Sequence, residues 1–219
     1  MTIATEVRWF WKGELDHDLE RWFRSAKELL GDAIPDSDLD NRTDHYLVEP
    51  ESSEYGLKLR EEKLELKRML DSSLFRAPRT GVTGIAQLWT KDDWTYTRIP
   101  TRESSDAVVQ AFLGGSDAAD IASVRKRRWQ RKYVPRDDGT LERVGLREKL
   151  ARACNVELTG LTFEGPWWTI AFEAYGDTTH PGTLANTVDW FFERFASPRP
   201  RLENSESYPQ WISRASAGA

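Results

Sequence analysis

The stretch from Tyr55 to Met69, YGLKLREEKLELKRM, constrains the fold more than any other, because its charged and apolar side chains alternate with a period of two. Lys58 and Arg60 share a face opposite Leu57 and Leu59. Beyond Glu61, Glu62 and Lys63 the parity reverses, and Glu65 and Lys67 stand opposite Leu64 and Leu66. A tight turn between two strands produces this reversal and leaves a hairpin with one apolar and one charged wall. Glu, Leu and Lys are also good helix formers, so an amphipathic helix fits the local propensity equally well. Similar alternation along the rest of the chain favours strands.

Residues 6–12 alternate, with Val7, Trp9 and Trp11 on an apolar outer side and Phe10 as the exception on the polar side. A helical stripe follows from Asp16 through Leu19, Trp22, Phe23, Ala26, Leu29 and Leu30, with Gly31 as its C-cap. Residues 35–43 read as a polar, acidic connection, and residues 45–48 as a short strand stopped by Pro50. Pro78 to Gly81 makes a turn. In the strand that follows, residues 82–91, Ile85, Gln87, Trp89 and Lys91 share a face, and residues 94–99 continue or adjoin it. A short helix is expected over residues 106–113. Residues 124–134, VRKRRWQRKYV, are the most basic run, and residues 146–153 are a short helix or an extended lead-in. Residues 155–159 and 167–175 alternate again, and residues 182–195 form an amphipathic helix. After Pro198 and Pro200 an aromatic patch, Ser207 to Ile212, precedes a tail expected to be disordered.

With no internal repeat or long linker, the 219 residues read as one domain over 1–199 and a C-terminal segment over 200–219. Ten tryptophans supply large apolar area per residue, enough for a core despite 39% hydrophobic content. A net charge of −5 argues against a protein that coats nucleic acid. The single cysteine, Cys154, excludes an intramolecular disulfide and fits a reducing compartment. No apolar run approaches a membrane span and the first residues lack a signal-peptide pattern, so a cytoplasmic location is expected. His17, His45 and His180 have no metal-ligand spacing.

Repeated strands with one polar and one apolar face, flanked by a few helices, fit an α+β fold built on an antiparallel barrel with a charged lumen. A sandwich with its polar faces in solvent remains the alternative. The order of these elements over residues 3–213 resembles the CYTH domain of the triphosphate tunnel metalloenzyme superfamily, which includes thiamine triphosphatases, inorganic triphosphatases and class IV adenylyl cyclases. Glu6 stands where the family has Glu-x-Glu-x-Lys; residues 56–60 and 64–67 are similar to its basic hairpin, residues 124–128 to its later basic strand, and residues 169–173 to its Glu-x-Glu pair. Ser207-Tyr208 is like its terminal Ser-Tyr patch.

The resemblance implies that Lys58, Arg60, Lys67, Lys126 and Arg128 contact a phosphate-rich anion, and Arg8, on the polar face of the first strand, is counted with them as a further candidate. It also implies that Mg²⁺ or Mn²⁺ is held by carboxylates, here Glu6, Glu65, Glu157 and Glu173. The basic set is present and the acidic set is depleted: Arg8 replaces a Glu, Phe10 a Lys and Ala171 a Glu, and the Gln87/Trp89 strand offers no carboxylate. The expectation is therefore a tunnel-like protein binding a nucleoside triphosphate or polyphosphate, with catalysis absent or reduced. Two alternatives stay open: an active metal-dependent triphosphate hydrolase, and a nucleic-acid or protein interaction module using the basic strand at 124–134.

Overall fold

The computed structural model describes residues 2–25, 39–48, 54–60, 63–95, 121–136, 138–176, 182–195 and 198–217. Among these residues nine strands follow one another as β1 (Thr2–Lys12), β2 (Leu39–Leu47), β3 (Tyr55–Arg60), β4 (Lys63–Arg76), β5 (Thr83–Thr95), β6 (Ile121–Pro135), β7 (Leu141–Val144), β8 (Ala153–Thr162) and β9 (Pro166–Tyr175). Helix α1 (His17–Ser25) follows β1, while α2 (Thr183–Arg194), a 3-10 turn (Leu202–Asn204) and α3 (Tyr208–Ala217) follow β9.

All strand pairs are antiparallel, in the order β2-β3-β4-β5-β1-β9-β8-β6, and β6 returns to pair with β2. Eight strands thereby close a barrel, and β7 extends the far end of β6. The length of β6 makes closure feasible, since residues 121–129 pair with β2 while residues 125–133 pair with β8 on its other edge. A closed ring excludes the sandwich and removes the free edges an open sheet would expose.

The hairpin at residues 55–69 forms as expected, with Lys58 opposite Glu65 and Arg60 opposite Lys63. Its second strand runs on to Arg76 through a register shift between Met69 and Asp71. That shift exchanges the two faces, and Phe75 joins the outer core.

Two apolar cores result. On the outside, Val7, Trp9, Val156, Leu158, Ile170 and Phe172 pack against Leu19 and Phe23 of α1 and Val188, Phe191 and Phe192 of α2. Asp16 starts α1 by accepting the backbone N–H groups of Asp18 and Leu19. The fully buried Asp189 of α2 accepts the N–H groups of Arg79 and Thr80 and the Thr80 hydroxyl, which fixes the turn at 78–81. Inside, the second core fills one end of the lumen: Phe10, Val124, Leu161 and Trp167 from the strands meet Trp211, Ile212 and Ala215 of α3.

Several expectations are corrected. Leu39 to Thr43, read as a connection, belong to β2, where pairing with β6 overrides poor strand propensity. The tail expected to be disordered is helical through Ala217, because its apolar side enters the barrel. Of the two forms expected for residues 146–153, the lead-in is the one found: residues 146–152 hold no helix and lead into β8. The helix expected at 106–113, and α1 beyond Ser25, lie outside the described residues. Among the described residues no helix is long and apolar enough to cross a membrane.

Candidate anion-binding site

Above the aromatic floor the lumen holds a cavity of about 190 Å³. The strand period of two sends one face of every strand into it. Eight basic side chains line its wall: Arg8, Arg42, Lys58, Arg60, Lys67, Lys91, Lys126 and Arg128. Four acids stand among them, Glu6, Glu65, Glu157 and Glu173. All six cations and all four carboxylates singled out from the sequence therefore converge on one cavity. Arg42 and Lys91 join them, and Asp40 and Asp44 take up cations of the wall from β2.

These charges form one chain of alternating sign that visits every strand of the ring. Glu173 lies 3.9 Å from Lys67, and Lys67 binds Glu6 at 3.1 Å. Arg8 donates to the other oxygen of Glu6 at 2.8 Å and to Glu157 at 3.0 Å. Arg128 links Glu157, at 3.1 Å, to Asp40, at 2.7 Å. Arg42 joins Asp40 to Asp44, and Asp44 takes Lys126 at 2.9 Å and Lys58 at 3.9 Å. Lys58 reaches Glu65 at 2.9 Å, and Lys91 holds the second oxygen of Glu65 at the same distance. The Arg60 side chain stands apart, with no ion pair or hydrogen bond to any described residue.

The chain shifts its members in predictable directions. Burial alone would raise Glu6, but Lys67 and Arg8 overcome it and hold the carboxyl at about 2. Burial is likewise outweighed at Asp44, which Lys126, Lys58 and Arg42 also hold at about 2. Lys58 and Lys126 fall to about 8 because burial outweighs their carboxylate partners. Lys67 goes the other way: burial opposes its charge, but Glu6, Glu173 and Glu65 keep it above the usual lysine range.

Glu6 and Asp44 thus have folded values below their unfolded ones. Their stabilisation is complete above roughly pH 4.5 and is lost as pH falls toward 2, at on the order of 2 kcal/mol each. An acid titration followed by circular dichroism should show the protein losing stability across that window. A flat profile down to pH 2 contradicts the ion-pair chain.

The base of the cavity is aromatic. Tyr208, the first residue of α3, stacks on Tyr46 with ring centroids 5.5 Å apart. Lys126 lies 3.9 Å above the Tyr208 ring and Arg8 4.5 Å from it. The Tyr208 hydroxyl is buried without a hydrogen-bond partner among the described residues, and burial keeps it protonated. Below it Phe10 stacks on Trp211 at 4.9 Å. Exposure marks the opposite end as the mouth: the Lys126 side chain is 3% exposed, but Lys91 is 33% and Glu173 35%.

Sequence reading missed Asp40, Arg42, Asp44 and Tyr208 as site residues. The available signal was the Asp-x-Arg-x-Asp alternation of residues 40–44, a charged period of two in a segment lacking ordinary strand formers. Among the described residues no group of three or more His, Cys, Asp or Glu is arranged to hold a metal ion. The four wall carboxylates come from β1, β4, β8 and β9, each within reach of a lysine or arginine, and as placed they do not fit a resident Mg²⁺ or Mn²⁺.

The basic run of residues 124–134 divides between the two faces. Lys126 and Arg128 point into the cavity, while outside Arg127 pairs with Glu20 and Arg131, 2% exposed, lies under the Phe23 ring. Lys132 donates to the carbonyls of Leu146 and Glu148. Of the outward-facing residues of this run only Arg125 and Arg127 are exposed, so the run itself forms no continuous basic face, which weighs against the nucleic-acid alternative.

Fold and site together define a closed eight-stranded antiparallel β-barrel with a charge-lined cavity, sealed at one end by its C-terminal helix. No family model and no curated protein matches this chain. Among solved structures it is similar to the crystal structure of a "putative adenylate cyclase" from Bacillus halodurans, at 13% identity and a TM-score of 0.39, over 91% of this chain and 95% of that one.

Proposed function

We propose that this protein binds a phosphate-rich small anion, a polyphosphate or the phosphate chain of a nucleoside triphosphate, with catalysis absent or much reduced. The observation that carries this reading is the excess of positive charge around the cavity: among the described residues eight basic side chains of the wall meet six carboxylates, the four of the wall and Asp40 and Asp44 of β2, and Arg60 is held in no ion pair. Arginine and lysine on opposing strands surround an anion, and a desolvated wall strengthens each contact. A divalent cation arriving with the ligand would compete with a lysine or arginine for every wall carboxylate, which supports binding over metal-dependent turnover.

Thermal denaturation with tripolyphosphate or ATP, with and without Mg²⁺ or Mn²⁺, tests the proposal. Tripolyphosphate is expected to raise the midpoint without added metal. Arg60→Ala is the cleanest variant, because no intramolecular pair is lost with it. It should weaken tripolyphosphate binding roughly 10- to 100-fold and leave the unliganded midpoint unchanged. No stabilisation under any condition overturns the proposal. Phosphate release that requires a divalent cation and vanishes in Glu173→Ala replaces it with the hydrolase.

A further inference from the structure

Resting on the anion-binding reading, we propose that the cavity takes a linear phosphate chain end-on, its terminal phosphoryl group innermost against Tyr208, and cannot hold the interior of a longer chain. The first support is that, among the described residues, one end of the lumen is closed. Phe10, Trp167, Leu161 and Val124 meet α3 across the far end, and Trp211 there is fully buried. A chain cannot thread through, so a bound segment must include an end or fold back on itself. Folding back would set two runs of like-charged phosphates side by side in a cavity of about 190 Å³. That volume is below the roughly 300–1,000 Å³ typical of sites for drug-sized ligands. It suits a few phosphate units, and a nucleoside would be left at the mouth.

The second support is the order of donors from floor to mouth. Arg8 and Lys126 flank the Tyr208 ring at the base, whereas Lys91 sits at the exposed rim. A terminal phosphoryl group carries more charge and more free oxygens than an internal one, since its second ionisation falls near pH 6. The innermost position, between two buried cations, favours that group. The Tyr208 ring closes the cavity beneath these two cations, so they are the innermost donors a ligand meets.

The test is stoichiometry. Calorimetry with long-chain linear polyphosphate should saturate at one protein per chain end whatever the chain length. A ratio that grows with length overturns the inference while leaving anion binding intact. Cyclic trimetaphosphate, which has no end, should bind at least about tenfold more weakly than tripolyphosphate, this being the loss expected from one charge-assisted hydrogen bond. Equal affinity overturns the inference. If tripolyphosphate itself fails to bind, the anion-binding reading falls first and this inference with it.

Discussion

Asp44→Ala is expected to lower stability by about 3–5 kcal/mol, a drop of roughly 6–20 °C in thermal midpoint for a chain of this size. Asp44 is fully buried and receives Lys126, Arg42 and Lys58. Two of these keep a second carboxylate, Arg42 through Asp40 and Lys58 through Glu65. Lys126 does not: it retains the Tyr46 hydroxyl and two aromatic rings. Its ammonium becomes a buried charge without a paired carboxylate, left with only the more distant field of Glu157, which is close to the costly case. Loss of Asp44 also drives Lys126 below its already lowered value of about 8. The deficit should therefore shrink as pH rises, because the variant sheds the proton that the wild type retains. Asp44→Asn, which keeps a polar partner but no charge, should fall between the two. A midpoint for Asp44→Ala that matches wild type at neutral pH rules out the chain of ion pairs as a source of stability.

Why the cavity wall was readable and its internal order was not follows from the range of the interactions. A period of two assigns Lys58, Arg60, Lys67, Lys126 and Arg128 to the inward face without knowledge of any partner, since a strand has only two faces. The ion pairs depend instead on contacts far apart in sequence, such as Lys67 with Glu6 and Arg8 with Glu157. The charged half of β2 has little strand propensity and is held by pairing with β6 and by the lumen cations, neither of which is local. Phe10 was legible only as an anomaly on the polar face of β1. It marks the level at which the lumen changes from charged to apolar. The small residues after Trp211 hid an amphipathic helix, because what makes Ala215 apolar in context is the barrel end that receives it.

That receiving end is the subject of the second large effect. Trp211→Ala removes a fully buried ring that stacks on Phe10 and meets Phe163, Trp167 and Tyr208 edge-on. Truncating a buried tryptophan costs about 3–5 kcal/mol, because burial is lost and the strands, hydrogen-bonded to neighbours on both sides, cannot collapse into the void. Trp211→Phe keeps a ring against Phe10 and should recover more than half of that loss. The ligand site should respond as well. With the floor opened, Tyr208 loses an edge-on contact that holds its ring beside Arg8 and Lys126, so tripolyphosphate affinity should fall together with stability in the alanine variant and return with it in the phenylalanine variant. Paired measurements of thermal midpoint and tripolyphosphate affinity across the three proteins decide the matter. If stability falls in Trp211→Ala while affinity stays at the wild-type level, the aromatic floor supports the barrel but does not position the base of the site.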